Sequence, residues 1–183
     1  MNLNENMNKF NSLTKITRQL IIGTSIFLFY GYLSRLTNLY FFWESKPIGW
    51  SFVFVTIIFI LRERIQMKKL QNNKTVSERI AIGILALILI SEILMVVLIP
   101  QTEYYQAAKE FIYSDHSISE ESGGITNIIL LPTGGFSSSS TYEGQKYSEA
   151  QLSFIVKGNV KFMDVHLQLM KENDSNWTII NLR

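Results

Sequence analysis

Three stretches in the first 100 residues are dominated by apolar side chains, and beyond residue 100 apolar and polar positions alternate. Residues 80–99 are apolar apart from Ser91 and Glu92 and a few small residues, and Pro100 closes the run. A membrane helix needs about 20 mostly apolar residues, so this stretch predicts a span. Residues 20–34 are a shorter run, but Leu39, Tyr40, Phe41, Phe42 and Trp43 follow Arg35 and would extend it through an interfacial aromatic belt. Residues 47–61 are also short, with Trp50 near the start and Arg62 and Arg64 as a basic stop. Pro47 suits the first turn of a helix, where its missing N–H costs nothing. A re-entrant or soluble hairpin is the alternative for these two short segments. The pattern predicts a polar segment over 1–18, a membrane region over 19–100 with spans at about 19–42, 47–62 and 79–100, and a separate domain over 101–183.

In that last domain Tyr104, Ala108, Phe111 and Ile112 recur at helical spacing and form one apolar stripe. Residues 115–124 are polar and end in Gly123-Gly124, a loop signal, and a short aliphatic run from Ile125 stops at Pro132. Residues 134–142 hold four successive serines and read as a weak edge strand or a loop. Leu152, Phe154 and Val156 then alternate with polar neighbours, Lys157-Gly158-Asn159 looks like a hairpin turn, and Val165, Leu167 and Leu169 share one face of the returning strand with Met163. Residues 172–176 make a second polar turn before a last strand that begins at Trp177. The expectation is an α+β membrane protein: three transmembrane helices, then one helix on a four- or five-stranded antiparallel β-meander with its opposite face half wet.

Charge orients this plan. Lys9, Lys15 and Arg18 precede the first run, and Arg62, Arg64, Lys68, Lys69, Lys74 and Arg79 lie between the second and third. The positive-inside rule puts both segments in the cytoplasm and the C-terminal domain outside it. That domain carries six basic against ten acidic residues. The basic loop is also a candidate for anionic lipid, but its plain topological role is the preferred explanation. The first 18 residues lack the pattern of a cleaved signal peptide, so the first span is expected to be retained. A net charge of +2 is too small to point to nucleic acid, and without cysteine there is no disulfide or thiolate chemistry.

Few residues carry candidate chemistry. Glu92 stands out because a carboxylate within a span is costly unless paired or protonated. It lies eight residues before Pro100, about 12 Å along the helix. Arg35 is the natural partner for an intramembrane polar pair, with Tyr30, Tyr32 and Ser34 as alternative hydrogen-bond donors; the preferred reading is an interhelical strut, and the alternative is a proton or docking site. Ser91 faces about 100° away from it. His166 with Met170 and Met163 invites copper, but His166 and Met170 are about 13 Å apart along a strand and Met163 points to the other face. His116 sits in an expected loop. Gly134-Gly135 lacks the ending of a phosphate loop, and Ser137 to Ser140 have no histidine and aspartate arrangement beside them. Asn173-Asp174-Ser175 and Asn176-Trp177-Thr178 match glycosylation acceptors. No catalytic, cofactor or metal residue is expected.

The helix with Tyr105 and Ala108, the Gly124-Ile125 strand start, the Ala150 to Gly158 strand, the Val165 to Lys171 strand and the Trp177-Thr-Ile-Ile ending resemble the cytochrome c oxidase assembly factor 1 family. The resemblance covers about residues 101–183. It implies a membrane-tethered domain facing the intermembrane space or its bacterial equivalent, the outer side of the inner membrane, acting without catalysis by binding other membrane proteins during oxidase biogenesis. Two spans ahead of the tethering helix depart from that family's single anchor. The functional expectation is a non-enzymatic assembly or accessory factor whose partners are the bilayer and integral membrane proteins such as oxidase subunits, with a second copy of itself as a further candidate. The alternative is a stoichiometric structural subunit or immunity-type protein of another membrane complex. A membrane sensor ranks third, because the cytoplasmic loop is too short for an output module.

Overall fold

The computed structural model describes residues 12–132, 136–142, 145–173 and 175–182. Gly134-Gly135, Glu143-Gly144, Asp174 and most of the expected N-terminal segment lie outside them. The chain divides into two compact units, Met1–Ser91 and Glu92–Arg183.

The first unit is built on a helical hairpin of α1, Lys15–Leu36, and α2, Ser45–Leu70, followed by α3, Val76–Leu98, which crosses the boundary between units. Small residues let α1 and α2 approach closely. A Cβ on Gly31 would lie 2.6 Å from the Lys46 backbone, and one on Gly49 would lie 2.9 Å from Leu28. Thr24 and Thr56 share a buried hydroxyl hydrogen bond of 2.9 Å across the seam. The close approach widens the contact between the helices, and the shared hydrogen bond satisfies both buried hydroxyls at the seam. The connection between the helices turns through left-handed Asn38 and Phe42, and Arg35 is held there by the carbonyls of Gly31 and Trp43 and by the Trp43 ring.

The three-span plan is corrected here. Among the described residues one helix, Val76–Gln101, is long and apolar enough to cross a membrane. The apolar run of α1 is bounded by Arg18 and Arg35 and that of α2 by Lys46 and Arg62, so both stop short of the roughly 20 residues a span needs. The remaining length of α2 comes from its basic end, which continues as helix to Leu70 instead of forming the expected loop, so only residues 71–75 connect α2 to α3. The aromatic run 39–43 does not extend α1 either, since the helix ends at Leu36.

In the second unit α3 passes through a 3₁₀ turn, Ile99–Gln101, into α4, Glu103–Ser114. Pro100 breaks the α-helical ladder, and Thr102 caps the new helix by accepting the Tyr105 N–H at 3.4 Å. A second short helix, α5, His116–Ser122, replaces the expected loop. Asp115 caps its start at 2.9 Å from the Ile118 nitrogen, and Gly123 ends it in the left-handed conformation at φ 72°. One helix in this domain is thus corrected to two, and His116 opens a helix instead of lying in a loop. The polar composition of the segment hid the capping pair.

Five antiparallel strands follow: β1, Ile125–Leu130; β2, Phe136–Tyr142; β3, Gln145–Gly158; β4, Phe162–Glu172; and β5, Thr178–Leu182. The long β3–β4 hairpin is the spine. On one side of β3, β2 pairs with its first half and β1 with its second; β5 pairs with β4 on the far side. The serine-rich segment is therefore a strand. One sheet face carries Leu152, Phe154, Val156, Val165, Leu167 and Leu169, all buried against Ala108 and Ile112 of α4, with Tyr104, Phe111, Met163 and Trp177 packed at the margin. Tyr104 and Trp177 meet edge to face, with ring centroids 5.5 Å apart. Burial of such side chains at about 25 cal/mol per Å² of apolar area is the main force holding α4 on the sheet.

Candidate functional site

The sheet face opposite α4 is where polar side chains converge. Period-two alternation places Gln151 and Ser153 of β3 beside His166 and Gln168 of β4 on that face. The β3–β4 register pairs Ser153 directly with His166 and Gln151 with Gln168, and the β4–β5 register adds Asn181 opposite Gln168. The Ser153 hydroxyl and the His166 Nδ1 lie 2.7 Å apart. Which of them donates depends on the imidazole tautomer. Gln151, Gln168 and Asn181 thus form one row of side-chain amides across three strands, and Ser153 with His166 forms the adjoining row. Together with Leu152 and Leu167 they line a shallow recess of about 330 Å³. His166 is exposed, in keeping with an open cleft.

This arrangement offers amides, a hydroxyl and an imidazole, all able to donate and accept hydrogen bonds, on a flat and accessible surface. It suits recognition of other polar groups, such as the backbone or amide side chains of a polypeptide. The face is not uniformly wet. Towards the other end of the sheet Ile155 is fully buried, and Lys157 lies over the Phe162 ring at 5.3 Å.

Beside the recess runs the open edge of the sheet. Phe136 of β2 pairs with Gln151, and β2 pairs with no other strand among the described residues. Its sequence, Phe-Ser-Ser-Ser-Ser-Thr-Tyr, contains neither a charge nor a proline. Natural edge strands usually carry such residues to discourage pairing with another chain.

The other residues singled out from the sequence are spread over the chain. Met163 packs on the core side, Met170 shares the face of His166 four residues further on, and His116 lies on α5, 3.5 Å from Glu120. Glu92 opens the second unit on α3, half-buried, whereas Arg35 belongs to the first. The Ser153–His166 pair was missed in the sequence reading. Its signal was present in the β3–β4 hairpin, since centring the turn between Asn159 and Val160 fixes every cross-strand pair, whereas the Lys157-Gly158-Asn159 turn displaces the register.

No protein-family model, curated protein or solved structure matches the chain. A chain with one helix, among the described residues, apolar enough to span a membrane, leading into an α+β unit with an open polar face, is the class these findings define.

Proposed function

We propose that the protein is a membrane-anchored, non-enzymatic binding protein whose C-terminal unit takes up an extended segment of a client polypeptide, in the manner of an assembly or accessory factor. The observation that carries this reading is the uncharged edge of β2, without a further strand partner among the described residues, backed by the amide row that begins at its neighbour Gln151. Strand addition gives affinity through main-chain hydrogen bonds, and side chains on the adjoining face give selectivity. Directional support comes from charge: Lys68 and Lys69 at the end of α2, Lys74 in the connection and Arg79 in the first turn of α3 precede the apolar run, and acidic residues are in excess after it. That bias favours an anchor in the cytoplasmic membrane with the C-terminal unit outside. The resemblance to the oxidase assembly family makes oxidase subunits the first clients to look for.

The test is a photo-crosslinking residue at position 139 of the full chain in its own membrane, with position 113 on α4 as control. The expected result is one or a few polypeptides captured at 139 and not at 113, in substoichiometric amount, and lost when Ser139→Lys charges the edge. Equal capture at both positions would refute the edge as the binding surface. A single partner at one to one would make the protein a structural subunit.

A further inference from the structure

The base of the α1–α2 hairpin gathers positive charge that the linear sequence keeps apart. Antiparallel packing carries Lys15 and Arg18 of α1 to the same end as Arg62 and Arg64 of α2. The Glu63 carboxylate fixes this end by accepting the Thr14 N–H at 3.2 Å together with the hydroxyls of Thr14 and Thr17. The second acidic residue of the region is also committed. Glu78, 5 % exposed in the first turn of α3, is paired with Lys68 and with Arg64 at 3.5 Å. Residues 62–79 hold six basic and two acidic residues, so Arg62, Lys69, Lys74 and Arg79 are left exposed with no acidic partner among the described residues.

The Glu78 contacts also tie the basic end of α2 to the point where the apolar helix begins. A membrane surface at that point would lie against this cluster. Within the cluster a recess of about 230 Å³ is lined by Thr14, Ile16, Phe59, Arg62, Glu63 and Gln66. Arg62 and Gln66 supply donors, while Ile16, exposed, and Phe59 supply an apolar wall. Glu63 is turned to the threonines. Donors beside an apolar wall are what the junction of a lipid phosphate and its acyl chain requires, and arginine matches phosphate oxygens two at a time. From this geometry we infer that the hairpin base is a binding site for anionic phospholipid, with Arg62 as the main ligand of the headgroup phosphate. This goes beyond the client-binding reading and does not depend on it.

Each basic side chain held at an anionic surface is worth about fivefold in affinity. The test uses the full chain in nanodiscs of phosphatidylcholine with a minor fraction of phosphatidylglycerol, extracted in mild detergent, with the retained lipids quantified by mass spectrometry. Phosphatidylglycerol should be enriched over its bulk fraction, and Arg62→Gln should cut the enrichment about fivefold. Arg62→Lys should retain more of it than Arg62→Gln, and Lys109→Gln on α4 should leave it unchanged. Inorganic phosphate at millimolar concentration should fail to displace the lipid. No enrichment, an equal loss with Lys109→Gln, or displacement by free phosphate would each overturn the inference.

Discussion

Gly158 sits where the β3–β4 hairpin passes the end of α5, and its replacement by alanine would test how the recess is held in register. An added Cβ would lie 2.1 Å from the Ser122 carbonyl oxygen, 2.5 Å from its Cβ and 2.7 Å from its carbonyl carbon. Two of these are backbone atoms in a fully buried residue, so no rotamer change relieves the clash. The same Ser122 oxygen accepts the N–H groups of Val160 at 3.0 Å and Lys161 at 3.3 Å, and Gly124 accepts that of Asn159 at 3.1 Å. Relief therefore means moving α5 off the turn. Overpacking costs about 1–3 kcal/mol, and losing the two hydrogen bonds to Ser122 costs about 1 kcal/mol each, for a total of about 3–5 kcal/mol. In a unit of this size 1 kcal/mol moves the melting temperature by about 4–8 °C, so Gly158→Ala should lower it by about 12 °C or more. The measurement is hydrogen exchange on the full chain in detergent during a temperature series, following peptides from β3 and β4. Gly23→Ala is the control, because a Cβ at Gly23 meets nothing within 4 Å and alanine is the better helix former. A Gly158→Ala protein melting within about 2 °C of the parent would refute the clamp between α5 and the hairpin.

Two further outcomes are expected. Partial burial acts to raise the pKa of Glu63, but hydrogen bonds from Thr14 and Thr17 outweigh it and hold the carboxyl below its ordinary 4.5. Its stabilising contribution is therefore present above the ordinary carboxylate pKa and is lost as the pH falls through the lower folded value. Glu63→Gln should expose the start of α1, with amides of residues 14–18 exchanging up to about fivefold faster near neutral pH, equivalent to about 1 kcal/mol. The difference should shrink in acid, and a pH-independent difference would contradict the role of the charge. A reporter fused after Arg183 should behave as extracytoplasmic, since α3 is entered from its basic end. A cytoplasmic reading would reverse the proposed orientation.

Much of the local architecture is written in the chain. Apolar length alone marked residues 80–99, because no soluble element of this kind needs so long a run broken by a single ionisable residue, Glu92. Period two placed Leu152, Phe154, Val156, Val165, Leu167 and Leu169 on one face, and helical spacing placed Ala108 and Ile112 opposite them, because burial selects side chains by direction. Tertiary structure decided what depends on partners distant in sequence. The four serines became a strand only because β3 supplied backbone partners for them, which no propensity of serine encodes. Ser153 met His166 because the turn fixed the register, and a one-residue slip would have put them on opposite faces. Thr14 came to the side of Glu63 because the α1–α2 hairpin closed on Gly31 and Gly49, where the missing side chains let the two helices approach.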